Sequence, residues 1–158
     1  MRVFIDDTGT QRYVRDVRGR FAKMAAVMEE RLKPMFREAI VKQFESEGAW
    51  GGDPWTALSD ETIKRKTLSG TLDEGILRDS MRLFEAFAEP DSPDFDVEIK
   101  GNTFSYVIRV PYAWRHQDGS DRLPVREIVP DPMPESFIEQ MRNVVSGYIL
   151  EAELAEED

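Results

Sequence analysis

The sequence predicts an α+β fold: a long N-terminal helix, a small antiparallel β-sheet and a C-terminal helix. Three observations carry that expectation. Apolar residues recur every three or four positions from Val14 to Phe44. They alternate with polar ones between Phe95 and Val110. They return to helical spacing from Phe137 to Ile149. A chain of 158 residues is the length of one domain.

The first helix is placed by Val14, Val17, Phe21, Met24, Ala25, Met28 and Leu32 and then by Met35, Phe36, Ala39, Ile40 and Phe44. Gly19 sets its firm start near Phe21, and Pro34 marks a kink or the first turn of a second helix. A short strand over Val3–Ile5 precedes it. Residues 46–55, with three glycines and a proline, form a loop pinned by Trp50 and Trp55. Ser59 reads as an N-cap. Asp60 and Glu61 occupy the first turn, where the helix dipole favours acids, and Leu58 and Ile63 have the spacing of a hydrophobic staple. This helix is expected to run to about Lys66, and a further short helix is expected over Ile76–Leu83. Residues 83–88 suit either a strand or the end of a helix.

The period-two stretches Phe95–Ile99 and Phe104–Val110 flank Gly101-Asn102, the signature of a β-hairpin with one buried face. Residues 117–120 are a turn, 125–129 a last short strand, and Pro130, Pro132 and Pro134 a stiff connector. The C-terminal helix starts at Glu135. Residues 1–20 are read as a basic arm, 21–150 as the domain and 151–158 as an acidic, flexible tail.

Charge and composition exclude several classes. The 31 acidic and 21 basic residues give a net charge of −10, the wrong sign for a general nucleic-acid binder. The charge is segregated. Residues 1–44 hold ten Lys/Arg against six acids, 85–98 hold six acids and no base, and the last eight residues hold five acids. The absence of cysteine rules out thiolate zinc sites, and the single histidine rules out a multi-histidine metal site. No apolar run has the length of a membrane span. The first residues lack a signal-peptide pattern, so synthesis in the cytoplasm is expected. Neither a Walker loop nor a dinucleotide fingerprint is present. His116 and Asp118 offer a base and an orienter, but no glycine-flanked nucleophile accompanies them; His116 is read as a turn residue. Asp94, Asp96 and Glu98 are read as the solvated face of a strand, and Lys64-Arg65-Lys66 as a solvated helix face. No catalytic, cofactor or metal residue is assigned.

Three blocks in order carry a resemblance. Trp55-x-x-Leu58-Ser59-x-x-Thr62 is followed by Tyr112-Ala113-x-x-His116-Gln117-x-Gly119, and then by Pro124-x-Arg126. With Phe44–Gly48 and Ile76–Leu83 between and before them, they resemble the phage virion morphogenesis family, the tail completion proteins of tailed phages and prophages. The resemblance covers residues 20–150. It departs from the family at Ser80, where a glycine often stands, and at Glu127 and Ile128, where an aromatic is usual. It implies a non-enzymatic virion protein that forms a ring, of six copies, at the head-proximal end of the tail. The implied neighbours are tail tube or terminator proteins and head–tail connectors, with genomic DNA passing through the lumen unbound. A tail terminator or a head-side adaptor is the neighbouring alternative. An acidic DNA-mimic inhibitor of a host protein is the alternative from another class.

In this family reading Trp55 and Leu58 anchor the loop before the Ser59-capped helix. Tyr112, His116 and Gly119 shape the turn after the hairpin. Arg126 makes a buried or intersubunit ion pair. Arg12, Arg15, Arg18 and Arg20 are expected to face an acidic neighbour.

Overall fold

The computed structural model describes residues 27–100 and 103–154, together with Gly19. The expected strand at Val3–Ile5, the four arginines of the basic arm and the Gly101-Asn102 turn lie outside the described residues. A π-helical turn, Met28–Leu32, runs directly into α1 (Lys33–Glu45). Pro34 sits in the first turn of α1, where its missing N–H costs nothing, so the helix passes it unbroken. There follow α2 (Asp60–Ser69), a 3₁₀ turn (Leu72–Glu74), α3 (Arg82–Ala88), β1 (Phe95–Lys100), β2 (Thr103–Ile108), α4 (Ala113–Gln117) and α5 (Glu135–Leu154).

α1 is the core helix because its apolar stripe carries two phenylalanines two turns apart. Phe36 stacks on Phe95 at 6.0 Å and meets Phe104 and Tyr106 of β2. Phe44 meets Trp55 edge-on at 5.4 Å, Phe84 at 5.7 Å and Phe87 at 6.1 Å. Ile40 is fully buried. One helix face thus holds the hairpin at one end and α3 with the 46–55 loop at the other.

β1 and β2 pair antiparallel, with Phe95 opposite Ile108, Val97 opposite Tyr106 and Ile99 opposite Phe104. This is the expected hairpin and register. Phe95 and Val97 are buried, whereas Tyr106 stays half open beside an apolar groove that runs between β2 and α5. The sheet has these two strands only among the described residues.

α5 runs antiparallel to α1. Phe137 near its start packs on Trp50 at 5.6 Å, and Val144, Val145 and Tyr148 pack with Val27, Met28 and Leu32. Its backbone is helical through Leu154, so the first half of the expected flexible tail continues the helix.

Arg37 joins α1 to α3. It is buried, with its guanidinium 4.6 Å over the Phe95 ring, and Nη1 donates to the carbonyls of Ala86 and Phe87 (3.1 Å each) and of Glu89. A cation is well placed at those last carbonyls of α3, which have no partner within the helix.

Three expected elements are corrected. α2 extends a turn beyond Lys66, until Gly70 closes it in the left-handed conformation at φ 71°. No helix spans 76–83. Leu77 (φ 61°) and Met81 (φ 59°) both adopt the left-handed conformation, which breaks the backbone pattern, and α3 begins only at Arg82. Residues 83–88 are therefore helix and not strand. Residues 125–129 form no strand, and the chain bends at Ile128 and Val129.

Gly48 fixes the chain path after α1. Its φ is 95°, and a β-carbon there would lie 2.5 Å from Trp55 Cδ1 and 2.8 Å from Trp55 N. Gly48→Ala is expected to cost about 3 kcal/mol through backbone strain and displacement of Trp55. Urea unfolding of the two proteins would measure it, and a loss below about 1 kcal/mol would contradict this account.

Candidate functional site: a cationic cleft built by the sequence motifs

The three sequence blocks meet at one cleft. It has a volume of about 600 Å³, and its lining includes Leu58, Ser59, Thr62, Lys66, Asp79, Ser80, Tyr112, His116, Arg122, Pro124 and Arg126. One wall is α2. Ser59 caps it, its Oγ accepting from Thr62 N at 3.3 Å and lying 3.0 Å from Thr62 Oγ1. The expected hydrophobic staple is open on one side, because Ile63 is 38% exposed. Ser59, Thr62 and Lys66 are three and four residues apart and so share the face that looks into the cleft.

Of the basic run on α2, Lys64 and Arg65 are exposed as expected, but Lys66 is 2% exposed. Its Nζ stands 3.5 Å from Asp79 Oδ1. Asp79 also accepts from Arg65 Nη1 at 2.6 Å and from Thr71 Oγ1 at 2.7 Å. The Thr71 hydroxyl, then Arg65, hold the Asp79 carboxyl down at about 2.

The opposite wall is α4 and the segment after it. Tyr112 Oη lies 3.2 Å from Ser80 Oγ, joining α4 to the 76–81 bend. Gly119 turns the chain at φ 72° directly beside Val125. The His116 ring meets Tyr112 edge-on at 6.1 Å, and its Nδ1 is buried without a hydrogen-bond partner. Burial, then the Arg126 charge, lower its pKa. Among the described residues no carboxylate bonds this nitrogen, so Asp118 does not orient the ring through it.

Arg126 is buried, and within the chain its partners are backbone carbonyls. Nε and Nη2 donate to the Thr56 carbonyl at 3.1 and 2.9 Å, and Nη2 also reaches the Ala57 carbonyl at 3.3 Å. No carboxylate pairs with it among the described residues. The carbonyls lie just before the Ser59 cap, so Arg126 ties the third sequence block to the first.

Backbone groups of residues 126–129 are satisfied largely by side chains. Gln117 Oε1 accepts from Ile128 N (2.9 Å) and Val129 N (3.0 Å), and its Nε2 donates to Val129 O at 2.7 Å. Gln43 Nε2 and Trp55 Nε1 both donate to Glu127 O, at 2.9 and 3.0 Å. Arg126 N donates to His116 O at 2.7 Å. Trp55 therefore anchors its loop as expected. The sequence gives Gln117 only as a motif residue and Lys66 only as part of a solvated basic run, and it marks no role for Asp79, Arg122 or Gln43; the spacing of Lys66 from Ser59 and Thr62 is the one signal of its place in the cleft. Arg12, Arg15, Arg18 and Arg20 lie outside the described residues.

No family model matches the chain, and no curated protein or solved structure matches it. No group of acids and histidine able to hold a metal ion occurs among the described residues, nor is any described helix long and apolar enough to cross a membrane.

Gln117→Ala strands the buried amides of Ile128 and Val129. It is expected to cost about 3 kcal/mol of stability, from two unsatisfied donors, as read by urea unfolding. Loss of protection at those two amides in hydrogen exchange would locate the effect. The pH dependence of Asp79 has a definite sign. Its folded pKa lies below its ordinary 3.8, so its stabilisation is complete above pH 4 and lost as pH falls toward 2. Asp79 is 40% exposed, and solvent screening limits the effect to about 1 kcal/mol or less. The stability gap between the protein and Asp79→Asn should close between pH 4 and pH 2; a gap constant over that window would show that the carboxylate charge is not involved.

Proposed function

We propose that this chain is a structural protein of the phage neck, a ring at the head-proximal end of the tail that completes the tail and helps join it to the filled head. The observation that supports this reading is the convergence of the motif blocks. Trp55–Thr62, Ser80, Tyr112–Gly119 and Pro124–Arg126 are distant in sequence, yet they are bonded to one another around a single cleft. Residues that resemble a family's motif in order also form one structural unit. Their roles are caps, anchors and backbone ties, as befits an assembly protein.

The segregated charge fits a ring. Head-to-tail contacts join two unlike surfaces, and this chain has a basic N-terminal segment and an acidic remainder. An acidic lumen wall lets DNA pass without the counterion release that makes a basic wall sticky.

Light scattering on the purified chain, alone and mixed with tail tubes that lack it, tests the proposal. A species of several copies, forming alone or on the tube, is expected. A monomer that ignores both tubes and capsids overturns the reading. Arg15→Glu with Arg18→Glu is expected to weaken assembly at least tenfold with the circular dichroism spectrum and melting temperature unchanged, and assembly at the original strength would remove these arginines from the interface.

A further inference from the structure

We infer that the cleft between α2 and α4 is a carboxylate-binding site, and that its ligand is the acidic segment 151–158 of a second copy of this chain. The choice of a second copy rests on the ring reading; the choice of carboxylate rests on the cleft alone.

Four cations line the cleft, Arg65, Lys66, Arg122 and Arg126, against one carboxylate, Asp79. That is a net +3 in a chain whose total is −10. Asp79 is already taken by Arg65 and Lys66. The Arg122 guanidinium makes no hydrogen bond or ion pair to any described residue, and Arg126 gives only Nε and Nη2 to carbonyls. His116 Nδ1 is buried beside them without a partner. Positive charge in the cleft therefore exceeds what the fold consumes, and gathered cations favour an anion.

The lining also selects the kind of anion. Ala57, Leu58, Leu77, Leu123 and Pro124 alternate with the cations, which suits the methylenes of glutamate as well as its carboxylate.

Segment 151–158, Glu-Ala-Glu-Leu-Ala-Glu-Glu-Asp, carries five acids and three apolar residues that match this lining. It cannot reach the cleft of its own copy. The cleft is tied to the C-terminal end of α1, through Gln43 and Trp55 to Glu127 and through the Glu47 carboxylate to Ile76 N at 2.9 Å. Tyr148 of α5 packs with Val27 and Met28, at the other end of that helix, and α5 continues past it to Leu154. The two ends are about 25 Å apart at 1.5 Å per residue, and the four residues after Leu154 span about 14 Å at most. The segment therefore leaves one copy on the side away from its own cleft, the arrangement that a head-to-tail contact uses.

A labelled peptide of residues 149–158, titrated into the full chain and followed by fluorescence anisotropy, tests the site. Saturable binding is expected, weakened at least tenfold by Arg122→Glu and abolished when the peptide's acids are replaced by amides. Arg122 is exposed, so this variant keeps the fold, which its melting temperature would verify. No binding, binding indifferent to Arg122→Glu, or binding of inorganic phosphate in place of peptide overturns the inference. Light scattering on Arg122→Glu and on the chain lacking 151–158 separates the two readings. Both are expected to remain monomeric. Rings formed by either variant overturn the cleft contact and leave the ring reading standing. Peptide binding by a chain that never assembles keeps the carboxylate site and removes the ring.

Discussion

The arrangement of this protein depends on two glutamine side chains that take the place of a β-strand. Residues 126–129 run through the core without forming a strand, with Ile128 fully buried, and a buried backbone must find partners for its N–H and C=O groups. The hairpin does not supply them. Gln117 gives an acceptor to two successive amides and a donor to the second residue's carbonyl, while Gln43 and Trp55 hold the carbonyl of Glu127. Gln43 also accepts from Gly51 N at 2.8 Å. The 46–55 loop, α1, α4 and the proline connector are thus fastened through this one segment. Arg126 can reach the Thr56 and Ala57 carbonyls only because its backbone is held there.

The same logic explains why an acidic chain keeps cations inside. Arg37 and Arg126 are buried not against carboxylates but against backbone carbonyls, three at the end of α3 and two before the cap of α2. Burial lowers the pKa of both arginines from its ordinary value, yet a guanidinium remains charged throughout the accessible range. The carbonyls bear partial charges only, and the carboxylates that act on these arginines do so without a direct ion pair, Asp91 and Asp96 on Arg37 and Glu47 on Arg126. At Arg37 the Phe95 ring face lies against that charge. At Arg126 the charge faces the cleft.

Much of the fold is legible in the sequence, because periodicity reports directly on burial. The hairpin register follows from alternation at Phe95, Val97, Phe104, Tyr106 and Ile108, and the Ser59 cap follows from Ser-Asp-Glu before a helical pattern. The failures have physical causes. Ile76 to Leu83 has helical composition, but Leu77 and Met81 take left-handed conformations that only surrounding contacts enforce, and neither is a glycine that would mark the break. Residues 125–129 have strand composition, but their hydrogen bonds go to side chains from residues 43, 55 and 117, and sequence spacing carries no trace of such partners. In the cleft, the motif residues were legible and the charge was not. Lys66 is indistinguishable in type from the exposed Lys64 beside it, and Arg122 belongs to no periodic pattern.

Symmetry sets a limit on how such a charge distribution can be used between copies. A two-fold contact pairs residue i of one copy with residue j of the other and j with i, so cleft and acidic stretch can meet there only as a reciprocal pair off the axis, while groups on the axis meet their own kind. A head-to-tail contact brings unlike surfaces together and turns the same segregation into attraction. Such a contact either closes into a ring or continues as a filament, and charge alone does not choose between them; the rotation between neighbours does. Here that rotation would be fixed by the rigid core between cleft and α5, the α1 helix with its Phe36 and Phe44 contacts at either end. Charge complementarity would then supply the direction of assembly, and the α1 packing the angle at which it closes.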